Sequence, residues 1–251
     1  MVLDEFFKNN KKIALAFSGG TDSTFLLWAA VQSGADVKAY FVKSCFQPKF
    51  EYNDVRHITT KFGVDLKVIE TDLLKDESIR MNPAERCYIC KKKIFSLILD
   101  EAKKDGDRKV IDGTNASDSY DDRPGMAALE ELNIASPLRD CGLTKSEIRK
   151  LSKSAGLSTY DKPPYACLAT RVPTGMEITE ELLSKVETSE SMLFAMGYTD
   201  FRVRICDEHT AKLQFLPKEI VSAFKEREDI VQALSESFDN VLLDLRPRET
   251  N

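Results

Sequence analysis

A six-residue segment rich in small side chains is the strongest constraint on the fold of this chain. It lies between an apolar run, Ile13 to Phe17, and a helix-like run, Thr24 to Val31. The residues of this glycine loop are Ser18, Gly19, Gly20, Thr21, Asp22 and Ser23. A strand that turns directly into a helix points backbone N–H groups and the positive end of the helix dipole at an oxyanion. The segment therefore predicts a binding site for the phosphates of a nucleotide.

The same loop indicates which phosphate reacts. It lacks the Gly-Lys-Ser/Thr ending of the Walker loop, whose lysine reaches the β- and γ-phosphates. Attack at the α-phosphate, with pyrophosphate as the leaving group, is therefore favoured. Mg²⁺ prefers one or two carboxylates together with phosphate oxygens, so Asp22 is its candidate ligand.

Composition narrows the class of protein. A chain of 251 residues can form one large domain or two of modest size. It contains no run of eighteen apolar residues and begins without a signal-peptide pattern, so we expect a cytoplasmic protein with no membrane partner. With 36 basic against 41 acidic residues, a small-molecule substrate is favoured over a nucleic acid.

Short β-branched runs alternate with amphipathic runs in the first half of the chain, which predicts an α/β fold with a parallel, doubly wound sheet. Ligands of such sheets bind at the carboxyl ends of the strands. A capping box, Thr144 to Glu147, opens a helix that Gly156 closes. The later pattern predicts a smaller α+β domain. The predicted boundaries are 1–160 for the nucleotide domain, 161–178 for a linker loop and 179–251 for the second domain.

The six cysteines are expected to be thiols, because no secretory signal accompanies them. Cys87 and Cys90 form a C-x-x-C, which is compatible with a redox pair, part of a zinc site, or two ligands of an iron–sulfur cluster. Cys167, in a proline-bearing loop, is the candidate third thiolate. Core or incidental roles are expected for the rest, Cys45, Cys141 and Cys206.

Several segments occur together and in order: the glycine loop, Arg86-Cys87-Tyr88-x-Cys90-Lys91, Gly113-Thr114-Asn115-x-x-Asp118, Arg123-Pro124-Gly125, Ser136-Pro137-Leu138 and the Cys167 loop. The glycine loop resembles the PP-loop of the ATP pyrophosphatase superfamily. As a set, the segments resemble the LarE family of ATP-dependent sulfur transferases, which build the nickel-pincer nucleotide cofactor. The resemblance implies that a pyridinium dicarboxylate mononucleotide is adenylated and that sulfur then displaces AMP.

The resembling family has two branches. In one, the cysteine that matches Cys167 gives up its own sulfur and becomes dehydroalanine. In the other, three cysteines bind a [4Fe-4S] cluster whose open iron carries the transferred sulfide. Because Cys87, Cys90 and Cys167 are all present, the cluster branch is favoured, with ATP and Mg²⁺ as further cofactors and a sulfide donor as a partner.

The resemblance also implies binding residues and an assembly. Gly113 and Asn115 are assigned to the nucleotide. The arginines assigned to the substrate are Arg123, Arg171, Arg202 and Arg204. Of these, Arg202 and Arg204 alternate on a predicted strand and share one face, which suits a phosphate because guanidinium groups bind it in a bidentate manner. A homo-oligomer is expected.

Two other enzyme classes stay open. One is a tRNA thiolation enzyme, which shares the PP-loop but usually carries an RNA-binding module with a basic face. The other is an ammonia-dependent amidating synthetase, in which the cysteines only pack. A non-enzymatic ATP-sensing module would bind ATP without releasing pyrophosphate.

Overall fold

A computed structural model describes residues 3–118 and 125–248 of this chain. Contacts between Cα atoms divide the chain into two compact units. The first unit comprises Met1–Thr71 and Glu85–Lys162, and the second comprises Asp72–Ala84 and Pro163–Asn251. Each unit is therefore assembled from two separate stretches of sequence.

Residues 72–84, which the sequence places inside a nucleotide domain of 1–160, lie in the second unit. Backbone hydrogen bonds hold them there: Gly175 N–H donates to Asn82 O at 2.8 Å, and Ile178 N–H donates to Arg80 O at 2.8 Å. The side-chain amide of Asn82 also donates to Pro173 O at 2.7 Å. Asn82 has a φ of 53°, a left-handed conformation that asparagine tolerates better than most residues and that sequence patterns do not reveal.

The first unit contains the predicted parallel sheet. Its strands are β1 (Lys12–Ala16), β2 (Asp36–Lys43), β3 (Leu66–Glu70) and β4 (Lys109–Ile111). They pair in the order β3-β2-β1-β4, and every pairing is parallel. The α/β fold class expected from the sequence is thus confirmed.

Helices cover both faces of this sheet. They are α1 (Leu3–Asn9), α2 (Thr21–Gln32), α3 (Lys49–Phe62), α5 (Arg86–Lys104), α6 (Gly125–Glu131), α7 (Pro137–Asp140) and α8 (Lys145–Ser154). Ile13 and Leu15 of β1 belong to a core that includes Leu26 of α2 and Ile148 of α8. The intervening Ala14 belongs to a second core on the α5 side. This alternation is the doubly wound arrangement. The capping box at Thr144 is present as predicted, with Glu147 bonding back to the Thr144 backbone.

The second unit has its own three-stranded sheet. Its elements are α4 (Glu77–Arg80), α9 (Glu180–Ala195), β5 (Phe201–Asp207), β6 (Thr210–Phe215), α10 (Pro217–Lys225), α11 (Arg227–Leu234) and β7 (Asn240–Leu243), with 3-10 turns at Leu73–Lys75 and Leu168–Arg171. β5 and β6 are antiparallel, and β6 pairs in parallel with β7. This is the small α+β arrangement expected from the sequence. None of the described helices is long and apolar enough to cross a membrane.

Candidate active site

The glycine loop connects β1 to α2 and leaves the first turn of that helix open to a ligand. Gly20 is the N-cap residue of α2, and among the described residues no side chain caps the helix start. Gly19 has a φ of +69°, and a Cβ atom there would lie 3.2 Å from Val55 Cγ2, so both the backbone conformation and the neighbouring helix call for glycine. Ser18 Oγ and Ser23 Oγ lie 3.2 Å apart across the loop. The open helix start suits an anion.

A cavity of about 320 Å³ lies beside the glycine loop in the first unit. Its polar lining includes Ser18, Asp22 and Ser23 of the loop together with Asp112, Gly113, Thr114 and Asp118 after β4. Its apolar lining includes Phe41 and Val42 of β2 and Ile94, Phe95 and Ile98 of α5. A polar wall next to an apolar surface is the arrangement that a nucleotide requires.

Gly113 allows the end of β4 to approach the start of α2. A Cβ atom at this position would lie 3.0 Å from Ser23 N and 3.2 Å from Ser23 Cα. Asn115, the other residue assigned to the nucleotide, is buried, and its Oδ1 accepts a hydrogen bond from Ser117 N at 2.8 Å. Its contacts are those of a turn, so its role toward the nucleotide stays a prediction.

Asp112 is a buried cavity residue that the sequence analysis did not single out. Its carboxylate accepts hydrogen bonds from Thr114 Oγ1 and, at 2.6 Å, from Ser136 Oγ. The sequence signal was its position as the last residue before Gly113, at the carboxyl end of a strand. These two hydroxyl groups hold the carboxylate in a fixed orientation at the cavity wall.

The sequence analysis also did not identify two lysines that lie beside the glycine loop. Lys145 Nζ donates to Asp22 Oδ2 at 2.7 Å. Lys162 Nζ donates to Gly19 O at 3.0 Å and pairs with Asp54 Oδ2 at 2.6 Å. Both lysines are more than a hundred residues from the loop in sequence, so no local pattern pointed to them. They place positive charge beside a glycine loop that has no Walker lysine of its own.

Asp22 fits the role of a magnesium ligand. Its Oδ2 is paired with Lys145, whereas its Oδ1 is buried and has no hydrogen-bond partner among the described residues. A buried carboxylate oxygen without a partner is costly, and a cation that arrives with the phosphates would satisfy it.

Of the three cysteines of the predicted cluster, two lie in the first unit and one lies in the second. Cys87 and Cys90 lie three residues apart in the first turns of α5, hence on one helix face, and both are half-buried. Arg86 Nη2 lies 3.5 Å from Cys87 Sγ. Cys167 belongs to the second unit, where it precedes the 3-10 turn Leu168–Arg171. Within residues 3–118 and 125–248, no group of three or more His, Cys, Asp or Glu side chains is arranged to hold a metal ion. The shared cluster stays a prediction.

The remaining cysteines show no common environment. Cys45 and Cys141 are half-buried and Cys206 is exposed. Burial raises the pKa of the Cys141 thiol above its usual value. A raised pKa keeps this thiol protonated at neutral pH, which is consistent with the packing role expected for it.

The arginines assigned to the substrate donate to protein groups of the second unit. Arg171 pairs with Glu190, and Arg202 Nη2 donates to Pro164 O at 2.6 Å. Arg204 Nη1 donates to Thr170 O at 2.9 Å. Burial, followed by the charges of Arg171 and Arg248, lowers the pKa of Arg202 to about 10. Arg123 lies outside the described residues.

The chain resembles several known proteins. A family model described as Queuosine biosynthesis protein QueC matches residues 12–84. The chain is 33% identical over 244 residues to an uncharacterised protein of Methanocaldococcus jannaschii, covering 97% of this chain and 92% of that protein. It is 30% identical over 242 residues to the pyridinium-3,5-bisthiocarboxylic acid mononucleotide synthase of Lactiplantibacillus plantarum, covering 95% of this chain and 87% of the synthase.

A more distant similarity involves the tRNA-specific 2-thiouridylase MnmA of Pseudothermotoga lettingae. The two chains are 27% identical in an alignment of 187 residues that covers 60% of this chain and 54% of the thiouridylase. This match therefore covers about half of that enzyme, whereas the match to the synthase includes both units of this chain.

Proposed function

Since this chain belongs to the LarE family of ATP-dependent sulfur transferases within the PP-loop superfamily, we propose that its substrate is pyridinium-3,5-dicarboxylate mononucleotide. A carboxylate oxygen of the substrate attacks the α-phosphate of ATP, which forms an acyl adenylate and releases pyrophosphate. Sulfide then attacks the acyl carbon, so that a thiocarboxylate forms and AMP leaves. The observation that carries this proposal is the cavity beside the uncapped start of α2.

The first unit contains the groups that adenylation requires. The N–H groups at the start of α2 would face the phosphates of bound ATP, and Lys145 and Lys162 add positive charge beside the glycine loop. Asp22 would hold Mg²⁺ through its unpaired Oδ1. The bound ion would neutralise charge that develops on the phosphates as pyrophosphate leaves.

We assign the [4Fe-4S] cluster to Cys87, Cys90 and Cys167. The i, i+3 spacing of Cys87 and Cys90 on α5 suits two thiolates of one cluster, and Arg86 lies close enough to donate to the Cys87 sulfur. When bound, such a cluster would supply sulfide as the nucleophile. Loss of the Cys167 sulfur itself is the competing outcome.

The recognition of the substrate phosphate is assigned to Arg202 and Arg204, with Arg123 and Arg171 as further candidates. Arg204 is the best placed of the described three, because it is half-buried while Arg171 and Arg202 are 2% and 5% exposed. Burial, and after it the charges of Arg171 and Arg248, lower the pKa of Arg202, and a bound anion would stabilise its charged form. A cytoplasmic homo-oligomer supplied by a sulfide donor remains our expectation.

Anaerobic purification with iron and sulfide analysis tests the assignment of the sulfur source. We expect about four irons per chain, lost in Cys87→Ala, Cys90→Ala and Cys167→Ala but retained in the matched control Cys206→Ala, whose cysteine is exposed. Wild-type protein with ATP, Mg²⁺, sulfide and the dicarboxylate nucleotide should yield pyrophosphate, AMP and a thiocarboxylate, detected by mass spectrometry.

Three results would redirect the proposal. An iron-free protein whose Cys167 loses the mass of its sulfur after one turnover would establish the self-consuming reaction. A product amidated from ammonia, with turnover unaffected by Cys167→Ala, would indicate an amidating synthetase. Thiolated tRNA, together with salt-sensitive tRNA binding, would indicate a tRNA-modifying enzyme.

A further inference from the structure

Glu190 of α9 is a buried residue, with 1% of its surface exposed. It has no role in the nucleotide site or as a cluster ligand in the function proposed above. Its Oε1 accepts hydrogen bonds from Arg171 Nε at 2.8 Å and from Val203 N at 3.0 Å. Its Oε2 accepts from Arg171 Nη2 at 3.2 Å and from the hydroxyl group of Tyr165. Four donors therefore satisfy a charge that would otherwise be very costly to bury.

The two side chains that reach Glu190 lie on either side of Cys167. Tyr165 precedes the cysteine by two residues and Arg171 follows it by four. The Arg171 guanidinium also lies 4.7 Å from the centre of the Tyr165 ring, and its Nη1 donates to Ala166 O at 3.1 Å. Both ends of the short segment that contains Cys167 are thus fastened to one carboxylate.

Two further arginines hold the outer carbonyl groups of this Cys167 segment, residues 164–171. Arg202 bonds to Pro164 O and Arg204 to Thr170 O, at 2.6 and 2.9 Å. Inside the segment, Thr170 N and Thr170 Oγ1 donate to Cys167 O at 3.0 and 2.8 Å. With these carbonyl groups fixed, the direction in which the Cys167 side chain leaves the backbone is also fixed.

Fold stability alone does not account for the Arg171–Glu190 pair. A buried ion pair can usually be replaced by apolar residues of similar volume at little cost, because its attraction only offsets the loss of hydration. The surroundings would accept such residues, since Val186, Leu193 and Val203 are all buried nearby on α9 and β5. What an apolar pair could not do is hold the carbonyl group of Ala166 and the hydroxyl group of Tyr165.

We propose that Glu190 is a positioning residue for Cys167, acting through Arg171 and Tyr165 to hold the segment in the orientation that sulfur transfer requires. The proposal rests on the proposed function and deepens it. Misplacement of a reacting group by about 1 Å can reduce a rate about 100-fold. The groups assigned to the adenylation step lie in the first unit, so this step should not require the arrangement once the substrate is bound.

Glu190→Gln and the milder Tyr165→Phe test the proposal in the complete enzyme. We expect formation of the thiocarboxylate to fall about 100-fold in Glu190→Gln and about tenfold in Tyr165→Phe, while pyrophosphate release at saturating substrate and ATP stays within about twofold. Glu226→Gln is the matched control, because Glu226 accepts a 2.7 Å hydrogen bond from Tyr198 in the same unit without touching the Cys167 segment. It should leave both reactions unchanged.

Hydrogen exchange of the protein without substrate gives a readout that does not depend on turnover. In Glu190→Gln, the peptide spanning residues 164–172 should exchange about tenfold faster, whereas the peptide of the glycine loop should not change. The double variant Glu190→Leu/Arg171→Met, in which an apolar pair replaces the ion pair, should show the same faster exchange of residues 164–172.

Unchanged exchange in residues 164–172, or equal losses of pyrophosphate and thiocarboxylate in Tyr165→Phe, would overturn the positioning role. If wild-type protein makes no thiocarboxylate at all, the proposed function fails. The exchange comparison then still decides whether Glu190 orders the segment.

Discussion

Lys145 Nζ lies 2.7 Å from Asp22 Oδ2, although the two residues are 123 positions apart in the chain. Lys145 begins α8, whereas Asp22 lies in the first turn of α2. The second oxygen of the same carboxylate is buried and has no hydrogen-bond partner in the described part of the chain. One oxygen of Asp22 is therefore balanced by a fixed cation, and the other is buried without a compensating partner among the described residues.

Replacing Asp22 by asparagine should weaken the proposed magnesium site while keeping the shape of the side chain. We expect pyrophosphate release to fall about 100-fold or more, because the charge that develops on the phosphates loses its counter-ion. The unfolding midpoint should change little. The measurement is release of pyrophosphate across a magnesium titration; a variant as fast as wild type at every Mg²⁺ concentration would contradict the assignment.

Lys162→Met should weaken nucleotide binding. Lys162 bonds to the carbonyl group of Gly19 and pairs with Asp54, so its loss removes positive charge beside the phosphates and loosens the glycine loop. We expect the KM for ATP to rise about tenfold, which corresponds to about 1.4 kcal/mol. Lys150→Met, an exposed lysine on α8, is the control and should bind ATP like wild type. Equal KM values in the two variants would exclude the role.

Replacement by alanine should change the stability of the protein at one glycine of the site and not at another. In Gly113→Ala, the new methyl group would lie 3.0 Å from Ser23 N, so β4 and α2 must move apart and the free energy of unfolding should fall by about 1 to 3 kcal/mol. In Gly20→Ala, the closest atom is Ser18 Oγ at 3.5 Å and φ is −80°, so stability should be retained. Urea unfolding without nucleotide measures both, and equal stability of the two variants would contradict the expectation.

The pH dependence of stability should involve Asp105, at the C-cap of α5. A hydrogen bond from Tyr40 and ion pairs with Lys38 and Lys67 hold the pKa of Asp105 well below its usual range. Because the folded-state pKa is depressed, this contribution to stability is present above the unfolded pKa of about 3.9 and is lost as the pH falls below it.

Asp105→Asn should therefore lower the free energy of unfolding at pH 7 by about 1 kcal/mol or more. The difference between variant and wild type should shrink as the pH decreases from about 4 to 2. Urea unfolding at several pH values measures this, with exposed Asp229→Asn as the control. A difference that stays constant down to pH 2 would show that the charge of Asp105 is not responsible.

Local patterns were sufficient for much of the first unit. The glycine loop lies between β1 and α2 as predicted, because a strand, small residues and an amphipathic helix are all visible within about twenty residues of sequence. The capping box at Thr144 was likewise a local pattern with a known geometry. The close approach of Gly113 to Ser23 is compatible with the nucleotide-binding role assigned to Gly113. That role stays a prediction.

Long-range contacts were not predictable in this way. Lys145 and Lys162 reach the glycine loop only because the sheet brings distant segments together. The predicted strand that contains Arg202 and Arg204 is present as β5, but the sequence carried no information about Pro164 O and Thr170 O, which accept their hydrogen bonds. The placement of residues 72–84 in the second unit involves hydrogen bonds from Gly175 to Asn82 and from Ile178 to Arg80, which no local sequence pattern records.

Because residues 72–84 belong to the second unit, the polypeptide passes from one unit to the other three times, after Thr71, after Ala84 and after Lys162. Neither unit can be cut out as one uninterrupted piece. A protease that cleaves after Lys162 would leave a fragment that still contains Leu73 and Ile79, two side chains with no exposed surface in the intact chain. A shortened protein meant to isolate the first unit must therefore replace residues 72–84 with a linker between Thr71 and Glu85.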